Sequence, residues 1–176
     1  PVAHSFPTRR SSDLLMTDKG LKTVLISSVL AQEGTSTVIA NLAHIFALRY
    51  KKNILVIDAN FRFPSLHKKL KVTGRKKQGL AEVLEGKIPF EDAAFKKDKN
   101  LTVVPAGSTE LNPLTLLDSQ KMRDLINWAK EHFDLILIDT ATMRDHKDAY
   151  IMADFVHAFI LLISEGITRR QVVKHA

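Results

Sequence analysis

The chain has 176 residues, a formal net charge of +7, 45% apolar and 26% charged residues, and no cysteine. That length suffices for one domain with a real core. The missing cysteines exclude a disulfide framework and thiolate chemistry, which fits a reducing compartment. No apolar run approaches the roughly 20 residues that span a bilayer, and the positive charge suits an anionic partner without defining a fold.

The run from Ser5 to Leu14 (SFPTRRSSDL) resembles the translation of a common sequencing adapter and lacks the apolar core of a signal peptide. Residues 1–14 are therefore read as a disordered artefact of sequence assembly. Residues 15–176 are read as a single domain, expected to be truncated at both ends. Without Arg9, Arg10 and Asp13 the formal charge falls by one.

From Lys22 onward strands and helices alternate. Val24 to Ser27 predicts a buried strand, and Thr37 to Tyr50 an amphipathic helix. Asn53 to Asp58 is a second strand, apolar until its closing carboxylate. Residues 64–71 predict a short helix, followed by a basic loop over 73–79. Leu80, Val83 and Leu84 have helical spacing, closed by Gly86. Leu101 to Pro105 is a third strand, and Asn112-Pro113 opens a helix expected to run through about Lys130. Phe133 to Asp139 is a fourth strand, Asp148 to Ala153 a short helix, Phe155 to Ser164 a fifth strand, and Thr168 begins a last helix. This alternation predicts a doubly wound α/β fold: a mainly parallel sheet with helices on both faces and ligands at the carboxyl ends of the strands.

Three segments share that rim: the loop over 29–37, the run from Asp58 to Arg62, and Asp139-Thr140. The loop lies between a strand and a helix, where backbone N–H groups and the positive end of the helix dipole face an anion. The phosphate-binding pattern G-x-x-x-x-G-K-[ST] is incomplete, however, with Val29 at its first glycine and Thr35 at its lysine. Ser36 is positioned to ligate Mg²⁺, with Asp58 and Asp139 completing the shell directly or through water. A lone strand-end aspartate is more often a solvated residue or a helix cap; two of them beside such a loop favour a phosphate–metal site.

The combination resembles the cytoplasmic kinase domain of bacterial tyrosine kinases, the capsule and exopolysaccharide (CpsD/CapB-like) branch of the P-loop ATPases related to MinD. Ser27-Ser28, the run from Glu33 to Thr37, and Asn41-Leu42-Ala43 follow that family's first motif. Asp58, Ala59, Arg62, Pro64 and His67 follow its D-A-D-x-R-x-P-x-x-H motif. Leu101 to Gly107, Asn112 to Leu117, Phe133 to Thr140, Asp148-Ala149, Gly166 and Thr168 match its later motifs, so the likeness runs from about residue 21 to 176. It implies ATP and Mg²⁺ as cofactors, with Gln32, Glu33, Gly34, Thr35, Ser36 and Thr37 against the nucleotide. It assigns metal-binding roles to Ser36, Asp58 and Asp139 and catalytic roles to Asp58, Asp139 and Arg62. It further implies a homo-oligomer at the cytoplasmic face of the bacterial membrane, working against the cytoplasmic part of a membrane polysaccharide chain-length or export protein.

The departures from the family pattern gather on the same rim. Thr35 replaces the P-loop lysine, Asn60 the second aspartate of D-x-D, and Ala141 and Thr142 two prolines. Gln32 replaces a loop glycine and is expected to deny the backbone positive φ. A charge-assisted hydrogen bond contributes roughly 1.5–3 kcal/mol, so losing the lysine weakens ATP binding by about tenfold to somewhat over a hundredfold. The loss in the transition state of phosphoryl transfer is larger. No replacement is evident in the sequence: Leu30 occupies the place of the second, signature lysine of MinD- and ParA-like proteins. Nucleotide binding with weak or absent catalysis is the leading reading, beside an active autokinase or ATPase and a ParA/MinD-like positioning ATPase.

Lys68, Lys69, Lys71, Arg75, Lys76 and Lys77 form a basic cluster that suits an anionic membrane surface, although a solvated face is its commoner meaning. No DNA-reading motif or stacking pattern accompanies it, so no specific nucleic acid is expected. His67 reads as a packing residue, because no second histidine lies at ligand spacing.

Overall fold

The computed structural model describes residues 20–72 and 78–164. Segment 1–14, the loop residues Arg75, Lys76 and Lys77, Gly166, and the helix expected from Thr168 lie outside the described residues.

Four of the expected strands are β1 (Thr23–Ser28), β2 (Ile54–Asp58), β4 (Leu101–Val104) and β5 (Leu135–Asp139). The fifth, β6, is shorter than expected at Ala158–Leu162, and β3 (Phe95–Asp98) was not foreseen. They form one six-stranded sheet in the order β3-β4-β2-β5-β1-β6, in which the β3–β4 pair is antiparallel and the other pairs are parallel. Every residue of β1, β2 and β5 is buried. That explains why these strands read as unbroken apolar runs: a parallel strand covered on both sides has no solvent face.

The helices make that cover. Alternate strand residues Leu25, Leu55, Ile57, Ile136 and Ile138 meet Leu80 of α3 (Leu80–Glu85), Leu117 of α5 (Pro113–Leu117), Ile126 of α6 (Gln120–His132) and Met152 of α7 (Asp148–Ala153). On the other face, Val24, Ile26, Val56 and Leu137 meet Ile39 and Ala43 of α1 (Thr35–His44), Phe46 beyond it, and Leu66 of α2 (Leu66–Lys69). Each such buried aliphatic or aromatic side chain stabilises by roughly 1.5–3 kcal/mol. The fold is therefore the doubly wound α/β sheet that the sequence implied.

Three local features differ from expectation. The first helix changes after His44 into a π-helical end, Ile45–Arg49, whose wider turn keeps both Phe46 and Ala47 in the core. The helix expected from 113 to 130 is two, because Asp118 and Ser119 interrupt it and the Ser119 hydroxyl accepts the Met122 N–H at 3.2 Å as a new N-cap. A short helix, α4 (Phe90–Ala93), precedes β3. Among the described residues no helix is long and apolar enough to cross a membrane.

Candidate functional site

The strand order sets β5 between β1 and β2, with Ile26 and Asp58 both level with Asp139. The loop after β1 and the first turn of α1 therefore stand over the ends of β5 and β2. A cavity of about 760 Å³ opens there. All six residues from Gln32 to Thr37 line it, as does Asp139; Asp58 and Arg62 do not.

The loop holds its shape through its own chain. Gly34, the N-cap of α1, has φ 87°, and its carbonyl accepts the N–H groups of Thr37 and Val38 at 2.9 Å each. The N–H groups of Thr35 and Ser36 precede those bonds, where an anion is favoured by both dipole and donors. The Glu33 carboxylate closes the loop, accepting the Leu30 N–H at 2.8 Å and the Ser164 N–H at 3.0 Å. Gln32 corrects the sequence expectation, since its φ is 66°. The left-handed turn survives without glycine because these bonds overdetermine the loop, at a strain of roughly 1–2 kcal/mol.

A chain of hydroxyls reaches the rim carboxylates. Ser65 Oγ donates to Ser36 Oγ at 2.7 Å, and Ser36 Oγ donates to Asp139 Oδ2 at 2.6 Å. Asp139 Oδ1 and the neighbouring Thr140 Oγ1 are buried with no hydrogen-bond partner, and both residues line the cavity. Buried polar atoms are normally paired, so two orphans on residues that line one cavity fit a site built for a ligand. Burial, and then the charge of Asp58, raise the Asp139 carboxyl to about 7. Asp58 is raised to about 7 by burial, opposed by backbone N–H donors. Its Oδ1 accepts the Asn60 N–H and its Oδ2 the Leu66 N–H, each at 3.2 Å, so this carboxylate also fastens α2 to the strand end.

Arg62 is placed elsewhere. Its Nε and Nη2 donate to Asp148 Oδ2 and Oδ1 at 3.2 and 3.1 Å, a two-pronged ion pair with a wholly buried carboxylate at the start of α7. His67 is half-buried on α2 and does not line the cavity, in keeping with a packing residue. Ser65, Lys69, Asp145 and His146 do line it, and sequence spacing gave them no site role. The one signal available for Ser65 and Lys69 was their four-residue spacing in the expected short helix.

The residues suit a magnesium–nucleotide better than a bare metal. Among the described residues no group of three or more His, Cys, Asp or Glu side chains could hold a metal ion. Magnesium bound with a nucleotide needs fewer protein ligands, because phosphates and water complete its octahedron. Ser36 Oγ and the Asp139 carboxylate, beside the helix N-terminus, are the oxygens that would hold such an ion.

Comparison with known proteins identifies the family and the fold. The family model described as cellulose biosynthesis protein BcsQ matches residues 21–160. Tyrosine-protein kinase YwqD of Bacillus subtilis (strain 168) is 34% identical over 164 residues, which are 93% of this chain and 68% of that protein. The chain belongs to the bacterial tyrosine-kinase branch of the MinD- and ParA-related P-loop ATPases. Against tyrosine-protein kinase etk of Escherichia coli (strain K12) it is 28% identical and spans 22% of that longer protein. Among solved structures, the VpsO kinase domain superposes with a TM-score of 0.85 at 30% identity, covering 93% of this chain and 80% of that one. The septum site-determining protein MinD of Pyrococcus horikoshii OT3, solved with Mg-ADP, shares the fold with a TM-score of 0.67 at 24% identity, over 81% of this chain and 57% of that one.

Proposed function

We propose that this domain binds ATP with Mg²⁺ between the 29–37 loop and the ends of β2 and β5, and that it turns ATP over weakly or not at all. The observation that carries the binding half is the Ser36–Asp139 hydrogen bond beside two unpartnered buried oxygens, Asp139 Oδ1 and Thr140 Oγ1. In this reading the N–H groups at the start of α1 hold the phosphates. Ser36 and Asp139 hold the magnesium ion, which supplies charge neutralisation of the phosphates when bound. Asp58 holds the start of α2 at the end of β2 through the Leu66 N–H. Weak catalysis rests on Thr35, which offers a hydroxyl where phosphoryl transfer needs fixed positive charge.

The assignments taken from the family complete the proposal. The domain acts in exopolysaccharide or capsule synthesis and export, assembling with copies of itself at the cytoplasmic face of the bacterial membrane. Its partner is the cytoplasmic part of a membrane chain-length or export protein. The match to only 22% of etk supports an arrangement in which such a domain works joined to, or beside, further protein.

Titration of the purified protein with a fluorescent ATP analogue and Mg²⁺ tests the binding claim. Saturation at or below millimolar nucleotide supports it, and absence of saturation overturns it. If phosphate release or phosphotyrosine appears, and Asp139→Ala abolishes it, the active autokinase replaces the weak one. ATP-dependent binding to DNA or liposomes by this protein alone would instead favour a positioning ATPase.

A further inference from the structure

Among the described residues, the lining of the cavity carries an uneven charge. Glu33, Asp139 and Asp145 line it, and Lys69 is the sole lysine or arginine among the described residues that do so. A nucleoside triphosphate brings several negative charges into this acidic setting, and position 35 offers none in return. Lys69 sits where compensation is needed. It lies one helical turn after Ser65, and residues four apart share a face of a helix. The Ser65 hydroxyl is bonded at 2.7 Å to Ser36, the neighbour of Thr35. Asp58 anchors the start of the same helix through the Leu66 N–H at 3.2 Å. The face bearing Lys69 is thereby fixed against the first turn of α1. The ion pairs among the described residues join Arg62 to Asp148, Lys87 to Glu85 and Arg123 to Asp118, and Lys69 belongs to none of them. Its exposed, flexible four-carbon stem leaves the ammonium free to meet a ligand.

We propose that Lys69 takes over the binding share of the missing P-loop lysine's role and not its share in catalysis, its ammonium meeting the terminal phosphate oxygens of the nucleotide from the α2 side of the cavity. The inference rests on the nucleotide-binding reading and adds to it the residue that supplies the positive charge. An ammonium on α2 is less enclosed than one inside the loop. Its contribution therefore depends on ionic strength, and it discriminates by phosphate number.

The test compares fluorescent ATP, ADP and AMP analogues, with Mg²⁺, on wild type, Lys69→Ala, Lys69→Arg, Lys68→Ala and the double variant Lys69→Ala/Thr35→Lys. Lys69→Ala is expected to weaken ATP binding by about tenfold, ADP less, and AMP hardly at all. Lys69→Arg should retain most of the affinity, and adding Thr35→Lys to Lys69→Ala should restore it. Lys68, exposed on the same helix but outside the cavity, serves as the control for general surface charge. If wild type binds ATP and Lys69→Ala binds it equally well, this inference fails while nucleotide binding stands. Equal losses in Lys68→Ala and Lys69→Ala also overturn it. No binding by wild type overturns both.

Discussion

Asp58 and Asp139 stand side by side at the carboxyl ends of β2 and β5, in register across the parallel ladder. Both are buried, and each carboxyl is raised from 3.8 to about 7, so the folded protein holds protons there that the unfolded chain has released. Between those values the folded state binds more protons than the unfolded one, and stability contributed by this pair falls as pH rises from about 4 to about 7. Asp139→Asn removes one buried charge while keeping an acceptor for Ser36. It is expected to raise the thermal midpoint at pH 8 by on the order of 5 °C and to flatten its pH profile. An unchanged or lower midpoint at pH 8 contradicts the pairing.

Ser36 links Ser65 to Asp139 and faces the cavity. Ser36→Ala removes that oxygen without adding bulk. Nucleotide affinity measured with Mg²⁺ should fall roughly tenfold, whereas affinity measured in EDTA should hardly change. Equal losses under both conditions would show that Ser36 shapes the loop and does not serve the metal.

Arg62 and the buried Asp148 form a two-pronged ion pair outside the cavity. Arg62→Ala leaves that carboxylate buried and alone, which should cost roughly 3 kcal/mol in denaturant unfolding. Nucleotide affinity under native conditions is expected to stay within about threefold, because the guanidinium is occupied by Asp148. A large loss of affinity with normal stability would give Arg62 a direct role at the nucleotide.

Gln32 at φ 66° stores strain that glycine does not. Gln32→Gly should stabilise the protein by about 1 kcal/mol, less whatever entropy the unfolded chain gains, and raise the thermal midpoint by roughly 2–4 °C. A lowered midpoint would mean that the glutamine side chain makes contacts worth more than the strain.

Much of this was legible in the sequence because the rim is built from local signals. Two apolar strands each end in aspartate, a loop runs into an amphipathic helix, and together they place Gln32 to Thr37 beside Asp139. Strand β3 was hidden because three of its four residues, Lys96, Lys97 and Asp98, are charged and exposed, as suits the edge of a sheet. The break at Ser119 was hidden because neither glycine nor proline marks it, so Asp118 and Ser119 read as polar positions of one continuous helix. Lys69 read as one of a surface cluster. Its place in the cavity depends on a hydrogen bond between Ser65 and Ser36, 29 residues apart, which no local pattern encodes. Gln32 shows the converse, since a residue that disfavours a conformation can be held in it by bonds from Glu33 to Leu30 and Ser164.

The most direct measurement follows nucleotide binding and phosphate release together on one preparation of purified protein at millimolar Mg-ATP. Saturable binding with little or no phosphate release is expected. Failure to saturate at millimolar nucleotide would contradict nucleotide binding at the Ser36–Asp139 rim.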